Sequence, residues 1–196
     1  MRNRSSPVRR PKVHTLVPDS IRRRFLLGFG LCSALAVLIL AFMPAEKTIG
    51  QTIKIVYLHG ALSRAGMVGL MAGGLLGLAY LLRPRPLLAR WTRALTLSGW
   101  LYWTAHFIVS IPATRLTWGP WIAWDEPRVT MTLQVIGAGL AVIVVSWLLG
   151  SERFMAGANV ALGAAILLTA IDTGVLRHPL DPIGSSPSTT LRFTYL

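Results

Sequence analysis

Four histidines and one tryptophan-rich segment carry most of the chemistry that this 196-residue chain offers. The histidines are His14, His59, His106 and His178, and the neutral imidazole is a common metal ligand. Residues 117–130 read TWGPWIAWDEPRVT. The chain contains no HExxH, GxSxG, Walker loop or CxxC sequence, which excludes the usual hydrolytic, nucleotide-binding and dithiol templates. We therefore expect ligand binding by imidazoles and indoles rather than catalysis by a nucleophile.

The tryptophans of this segment are spaced by three, at Trp118, Trp121 and Trp124. Pro120 suits the first position of a short helix that Pro127 would stop, and such a turn would place the indoles on one face. Two interpretations remain open. The indoles could form an interfacial belt, since tryptophan is enriched at the membrane boundary. They could instead form a flat platform for a planar, apolar ligand with a polar edge, such as haem.

Three charged residues could serve such a ligand. Asp125 and Arg128 follow the tryptophans and would fix the loop or meet polar edges of the ligand. Arg64 lies near the start of an apolar run, where it could snorkel to the interface. It could also pair with a haem propionate, since guanidinium matches carboxylate geometry.

The elements that must position these residues are membrane helices. Hydrophobic residues make up 53% of the chain and charged residues 14%, which argues against a water-soluble globule. A membrane span needs about 20 apolar residues. Five stretches are long enough: Phe25–Ala45, Ile55–Leu82, Ala94–Ala113, Val129–Gly150 and Phe154–Ile171. The sequence predicts an all-α integral membrane protein with five transmembrane helices.

The basic residues predict the orientation. The net charge is +13, and 13 of the 20 lysines and arginines fall on one side of the five spans, which the positive-inside rule makes cytoplasmic. Residues 1–24 are then a basic cytoplasmic tail, 25–171 the transmembrane domain with an external loop at 114–128, and 172–196 an external tail. No basic stripe with interleaved aromatics is present, so a nucleic-acid partner is not expected.

Small residues in the apolar runs predict how the helices pack. Gly69, Gly73 and Gly77 recur every four residues in the second span, a spacing that lets another helix approach closely. Cys32 is interpreted as a small apolar packing residue, because a single cysteine forms no internal disulfide.

The histidines differ in their expected surroundings. His59 lies about four residues inside the outer end of span two, where an ionisable side chain is by default a functional candidate. His106 lies on a stripe with Trp103, where packing and one hydrogen bond would account for it. His14 is expected to be solvated in the basic tail. His178 follows the last span and by its spacing alone would be an ordinary exposed histidine.

The tryptophan-rich segment is similar to a known family signature. Trp118-Gly119-x-Trp121-x-x-Trp124-Asp125, followed by Arg128-x-Thr130, resembles the tryptophan-rich WWD signature of the haem-handling proteins of cytochrome c assembly. The haem exporter protein C type is the most similar, and Tyr57-Leu58-His59 resembles its Tyr-x-His. The resemblance covers about residues 54–150. Glu126-Pro127 separates Asp125 from Arg128 by one residue more than in the family pattern.

The resemblance implies a function. His59 and His178 would be the axial ligands of a non-covalent, transiently held haem b at the outer face of the inner (plasma) membrane. The protein would not be an enzyme; it would present haem to a periplasmic haem chaperone or lyase during cytochrome c maturation. Its other partners would be the lipid bilayer and the membrane subunits of an ATP-driven haem-release complex.

Two other functions remain possible from the sequence. His106 lies about 9 Å and His59 about 6 Å below the outer ends of their spans at 1.5 Å per residue, so both could ligate a buried haem. The protein would then be a cytochrome b-type electron-transfer subunit. A third possibility is an interaction or transporter subunit whose tryptophans are only an interfacial belt.

Overall fold

The computed structural model describes residues 19–46, 49–172, 174, 187, 189–190 and 192. Its helices are α1 (Asp19–Phe42), α2 (Ile53–Leu82), α3 (Pro86–Trp118), α4 (Pro127–Leu149) and α5 (Glu152–Asp172). The described ranges contain no strand beyond an isolated antiparallel bridge between Glu46 and Gly50. The predicted all-α fold class is confirmed.

The described residues up to Phe42 and those from Met43 onward form two separate compact units. In the first unit, α1 carries Arg22, Arg23 and Arg24 in its first turns and has no charged residue from Phe25 to Phe42. Its described side chains are exposed, apart from half-buried Leu40. A helix that is apolar on every side requires an apolar environment such as a lipid bilayer. The second unit is a bundle of α2, α3, α4 and α5.

By length and hydropathy, three of the described helices could cross a membrane: Ser20–Phe42, Ile53–Leu82 and Pro127–Leu149. The other two helices, α3 and α5, contain polar residues that lie inside the bundle. Thr92, Thr96 and His106 of α3 and Asn159 of α5 are all buried inside the bundle. The described residues therefore form five helices, while five crossings remain a prediction.

Glycines set the packing of α2 against α3 and α5. A Cβ atom on Gly66 would lie 2.8 Å from the backbone nitrogen of Trp103, and one on Gly99 would lie 2.6 Å from that of Leu70. On the other flank, a Cβ atom on Gly77 would lie 2.7 Å from the carbonyl oxygen of Ala156. Contacts under 3.0 Å exclude a side chain, so the backbones touch. The predicted close approach is confirmed, and it involves two neighbouring helices instead of one.

The order of these contacts shows that the bundle alternates in direction. Gly66 meets Trp103 whereas Gly73 meets Thr96, so α2 and α3 are antiparallel. Gly74 meets Asn159 whereas Gly77 meets Ala156, so α5 is also antiparallel to α2. Trp100 and Trp103 donate from Nε1 to the carbonyl oxygens of Ile136 and Thr132, at 2.9 and 3.3 Å, which makes α4 antiparallel to α3.

The bundle therefore has two distinct ends. At one end lie the start of α2, the connection 119–126 and the end of α5; we call it the tryptophan-loop end. At the other lie the connection 83–85 and the junction of α4 with α5; we call it the arginine end. The arginine end carries Arg83, Arg85, Arg90, Arg93 and Arg153.

The predicted short helix in the tryptophan loop is wrong. The helix α3 continues to Trp118, and Gly119, at a φ of 97°, ends it. Residues 119–126 then form bends and a turn, in which the backbone N–H of Glu126 donates to the carbonyl oxygen of Ala123. Pro127 does not stop a helix but opens α4, since a proline in the first turn has no N–H to leave unsatisfied.

Candidate functional site

His59 and His106 meet where α2 crosses α3, near the tryptophan-loop end. Their ring centroids are 4.2 Å apart and the ring planes are inclined by 29°, a stacked arrangement. His59 lies six residues, or about 9 Å, along α2 from its first residue. Only 8% of His106 is exposed, and His59 is half-buried. The pair is therefore partly shielded by the bundle.

The two backbones hold the two rings reciprocally. Nδ1 of His106 lies 3.1 Å from the carbonyl oxygen of His59, and Nδ1 of His59 lies 3.4 Å from the carbonyl oxygen of His106. A carbonyl oxygen can only accept, so the neutral tautomer that satisfies each contact carries its proton on Nδ1. The basic lone pair of each ring then resides on Nε2. Donation from one ring nitrogen to a backbone carbonyl is the usual support of a histidine that binds a metal through the other.

A tryptophan links this pair to the rest of the bundle. The ring of Trp103 lies 5.4 Å from that of His106, tilted by 53°. Trp103 is buried, and its Nε1 donates to the carbonyl oxygen of Thr132 in α4. The predicted role of His106 in packing and hydrogen bonding agrees with this arrangement.

The arrangement of the histidine pair does not fit a porphyrin between the two rings. Bonds from a metal to imidazole nitrogens are about 2 Å long, so two axial nitrogens on opposite sides of an iron are about 4 Å apart, with the ring centroids farther still. Here the ring faces are stacked with centroids 4.2 Å apart. The cytochrome b-type alternative, with haem buried between His59 and His106, is not supported by this geometry.

The tryptophan loop displays two of its three indoles. Trp121 is 61% exposed and Trp124 67% exposed, while Ala123 and Glu126 are buried and anchor the loop. Trp118 belongs to the last turn of α3 and is half-buried. The platform suggested by the spacing is therefore two exposed indoles on an irregular loop beside a third at the helix end.

Arg115 supports this loop from α3. Its guanidinium carbon lies 5.5 Å from the ring centroid of Trp121, and its Nη1 donates to the carbonyl oxygen of Gly119. The cation thus caps the end of α3 and touches the indole face. Arg115 is not among the residues predicted from the sequence, although its place in the last turn before Gly119 is a usable signal.

The remaining predicted residues are exposed or lie outside the described residues. Arg64, Asp125 and Arg128 are exposed. His178 lies outside the described residues, six positions after the last residue of α5. Among the described residues no group of three or more histidine, cysteine or acidic side chains could hold a metal ion. Any haem ligand set from this part of the chain would rest on single imidazoles.

The described part of the chain is all-helical, has three helices long and apolar enough to span a membrane, and has one end that carries histidine and tryptophan side chains. Comparison with known proteins adds no family to this description. No protein-family model matches the chain, and no curated protein sequence matches it significantly.

Proposed function

We propose that this protein crosses the inner membrane five times and binds haem at the tryptophan-loop end, presenting it to a haem chaperone or lyase of cytochrome c maturation. The observation that carries the proposal is the display of Trp121 and Trp124 at the end of the bundle where His59 lies. This is the combination that the resemblance to the WWD proteins implies. Haem would supply the iron chemistry, and the protein would act as a carrier and not as an enzyme.

The proposed roles follow from the surroundings of each residue. His59 would be an axial ligand through Nε2, because its Nδ1 faces the carbonyl oxygen of His106. His178 would be the second ligand, as the resemblance implies. Trp121 and Trp124 would cover a porphyrin face, and their exposure suits a ligand that must leave again.

The polar residues would orient the ligand. Arg64 and Arg128 are exposed cations whose guanidinium groups can bind a propionate through two parallel hydrogen bonds. Asp125 would fix the loop. With Trp118 at the end of α3, these residues would complete the shallow site proposed from the sequence.

Five crossings are supported by the packing of α3 and α5. Each is long enough to span, since α3 has 33 residues and α5 has 21. Part of their polarity is directed inward, as in the hydrogen bond of 2.5 Å from Thr96 Oγ1 to Asn159 Oδ1. A buried polar pair between helices is compatible with a lipid-facing exterior. The arginine end would face the cytoplasm under the positive-inside rule.

An absorption spectrum tests the proposal directly. The protein is expressed with adequate haem supply, purified in mild detergent and measured with and without dithionite. We expect the spectrum of a low-spin haem that is lost on transfer to excess apomyoglobin. Replacement of His59 by alanine should abolish the band, whereas His14→Ala, in the basic tail, should keep it. A wild-type protein without any haem band would overturn the proposal.

A further inference from the structure

A cleft lies at the arginine end, away from the histidine pair and the tryptophan loop. Residues of α3, α4 and α5 line a cleft of about 370 Å³ between these three helices. Its lining residues are Arg93, Thr96, Leu97, Val142, Ile143, Ser146, Trp147, Gly150, Met155 and Asn159. The cleft thus has a cation, apolar walls and a polar floor.

The cation at this cleft has no partner in the described protein. Arg93 is exposed, and its guanidinium makes no hydrogen bond or ion pair with another described residue. Arg90, one turn earlier on α3, is also exposed, but its Nε donates to the carbonyl oxygen of Pro86 at 3.4 Å and it does not line the cleft. Arg93 is therefore the cation placed to receive an anion here.

The surrounding charge favours an anion. Residues 83–93 and 150–155 contain five arginines and one acid, Glu152. The carboxylate of Glu152 accepts a hydrogen bond of 3.0 Å from the hydroxyl of Tyr80. One carboxylate cannot neutralise five arginines, so this end of the bundle carries a net positive charge among the described residues.

The polar residues of the cleft, Asn159 and Ser146, have hydrogen-bonding capacity that no described residue satisfies. Asn159 is 2% exposed, accepts from Thr96 and donates one N–H to the carbonyl oxygen of Met155 at 2.8 Å. Its amide has a second N–H that no described acceptor takes. The buried hydroxyl oxygen of Ser146 also has no hydrogen-bond partner among the described residues. A buried polar group without a partner is unfavourable, so a ligand oxygen would be stabilised here.

The walls indicate that the ligand is also apolar. Leu97 and Trp147 are exposed and Val142 and Ile143 half-buried, so an alkyl chain could lie along α4 from the cleft. A ligand with an anionic head and an alkyl tail, found at the interface of a basic helix end, is an anionic phospholipid. Basic pockets between membrane helices on the cytoplasmic side bind such head groups.

We propose that the cleft between α3, α4 and α5 binds one anionic phospholipid, with its phosphate at Arg93, its ester oxygens at Asn159 and Ser146, and an acyl chain against Leu97, Ile143 and Trp147. This site depends on the membrane location of the bundle and not on haem binding. The bound lipid would fill the cleft between α3, α4 and α5 and so help to hold these three helices together.

The test measures lipid binding to the full-length protein purified in mild detergent. Dioleoylphosphatidylglycerol is titrated against dioleoylphosphatidylcholine, and bound lipid is counted by native mass spectrometry alongside the thermal unfolding midpoint. We expect one tightly retained phosphatidylglycerol, bound about tenfold more tightly than phosphatidylcholine, which corresponds to about 1.4 kcal/mol. Arg93→Gln should remove this preference, whereas Arg90→Gln should keep it.

A second variant tests the cleft itself. Ser146→Phe places a ring in the cleft and should displace the retained lipid while the haem content stays the same. The proposal is overturned if both lipids bind equally, if Arg93→Gln and Arg90→Gln behave alike, or if Ser146→Phe retains the lipid. It is also overturned if inorganic phosphate alone produces the same stabilisation, because the apolar walls would then contribute nothing.

Discussion

The imidazole rings of His59 and His106 stack with their centroids 4.2 Å apart, and Nδ1 of each ring lies within 3.4 Å of the other residue's backbone carbonyl oxygen. This mutual contact joins α2 to α3 on the side of their glycine-lined interface that is nearer the tryptophan-loop end. Since the backbones already touch at Gly66 and Gly99, the rings have no room for an interposed ligand. In the proposed haem site, His106 would therefore support the imidazole of His59, and the ligand would bind on the side of His59 that faces away from His106.

The glycine interface gives the first prediction. Gly99→Ala should destabilise the bundle by about 1–3 kcal/mol, because the new methyl group would meet the backbones of Leu70 and Gly69. The thermal unfolding midpoint in detergent measures the effect. Gly137→Ala on α4 is the matched control, since a Cβ atom there meets nothing within 4 Å. Equal midpoints for the two variants would contradict the packing of α2 on α3.

The hydrogen bond between Thr96 and Asn159 gives the second prediction. Thr96→Val removes the donor and leaves the buried Asn159 Oδ1 without this partner, at a cost of about 1–3 kcal/mol. Adding Asn159→Leu should then cost less than it does in the wild-type background, because the orphaned amide is gone. A double-mutant cycle on the free energy of unfolding measures the difference. Strict additivity would show that the two side chains do not interact.

The helices were the part of the structure most accessible from sequence. Long uncharged runs predict them, and the spacing of Gly69 and Gly73 predicts their close approach. Counting residues from the span ends placed His59 and His106 at similar depths. It could not show that the rings touch, because this depends on how far the glycines let α2 and α3 close together.

The tryptophan loop was less predictable, for a local reason. Pro120 and Pro127 both suit the first turn of a helix, so sequence alone does not say which one opens a helix. In the structure Pro127 opens a helix and Pro120 does not. The helix α3 extends to Trp118, so only residues 119–126 remain to connect it to α4. Trp118 consequently belongs to a helix, and Arg115 packs on Trp121, a contact that depends on the loop conformation.

Topology gives the third prediction. Five crossings with residues 1–24 in the cytoplasm place the segment after α5 outside. Alkaline phosphatase fused after Leu196 should be active, and a fusion in the connection 83–85 should be inactive. A reversed pattern at both sites would invert the orientation. An inactive fusion at Leu196 alone would contradict the proposed five crossings.

The exposed indoles give the fourth prediction. Trp121→Leu with Trp124→Leu should weaken haem retention by at least about tenfold, since stacking on an aromatic ring contributes about 1–3 kcal/mol for nucleobases. The unfolding midpoint of the haem-free protein should change little, because both side chains are exposed. Trp91→Leu is the control, a tryptophan 54% exposed near the start of α3 that does not line the cleft. Unchanged haem content in the double variant would contradict the platform and favour the interpretation of these residues as an interfacial belt.

The last prediction separates the roles of the histidines. His59→Ala and His178→Ala should each abolish the low-spin haem spectrum, because each removes a proposed axial ligand. His106→Ala should keep a six-coordinate spectrum, since the carbonyl oxygen that faces His59 Nδ1 belongs to the backbone and survives the change. It should nevertheless shorten haem retention, because the stacked ring that restrains His59 is lost. His106→Phe retains a ring of similar shape without a ligating nitrogen, so we expect it to restore retention with the wild-type spectrum. If both His106 variants lose the spectrum while His178→Ala keeps it, His106 is the ligand itself, and the bundle must open between α2 and α3 to admit the haem.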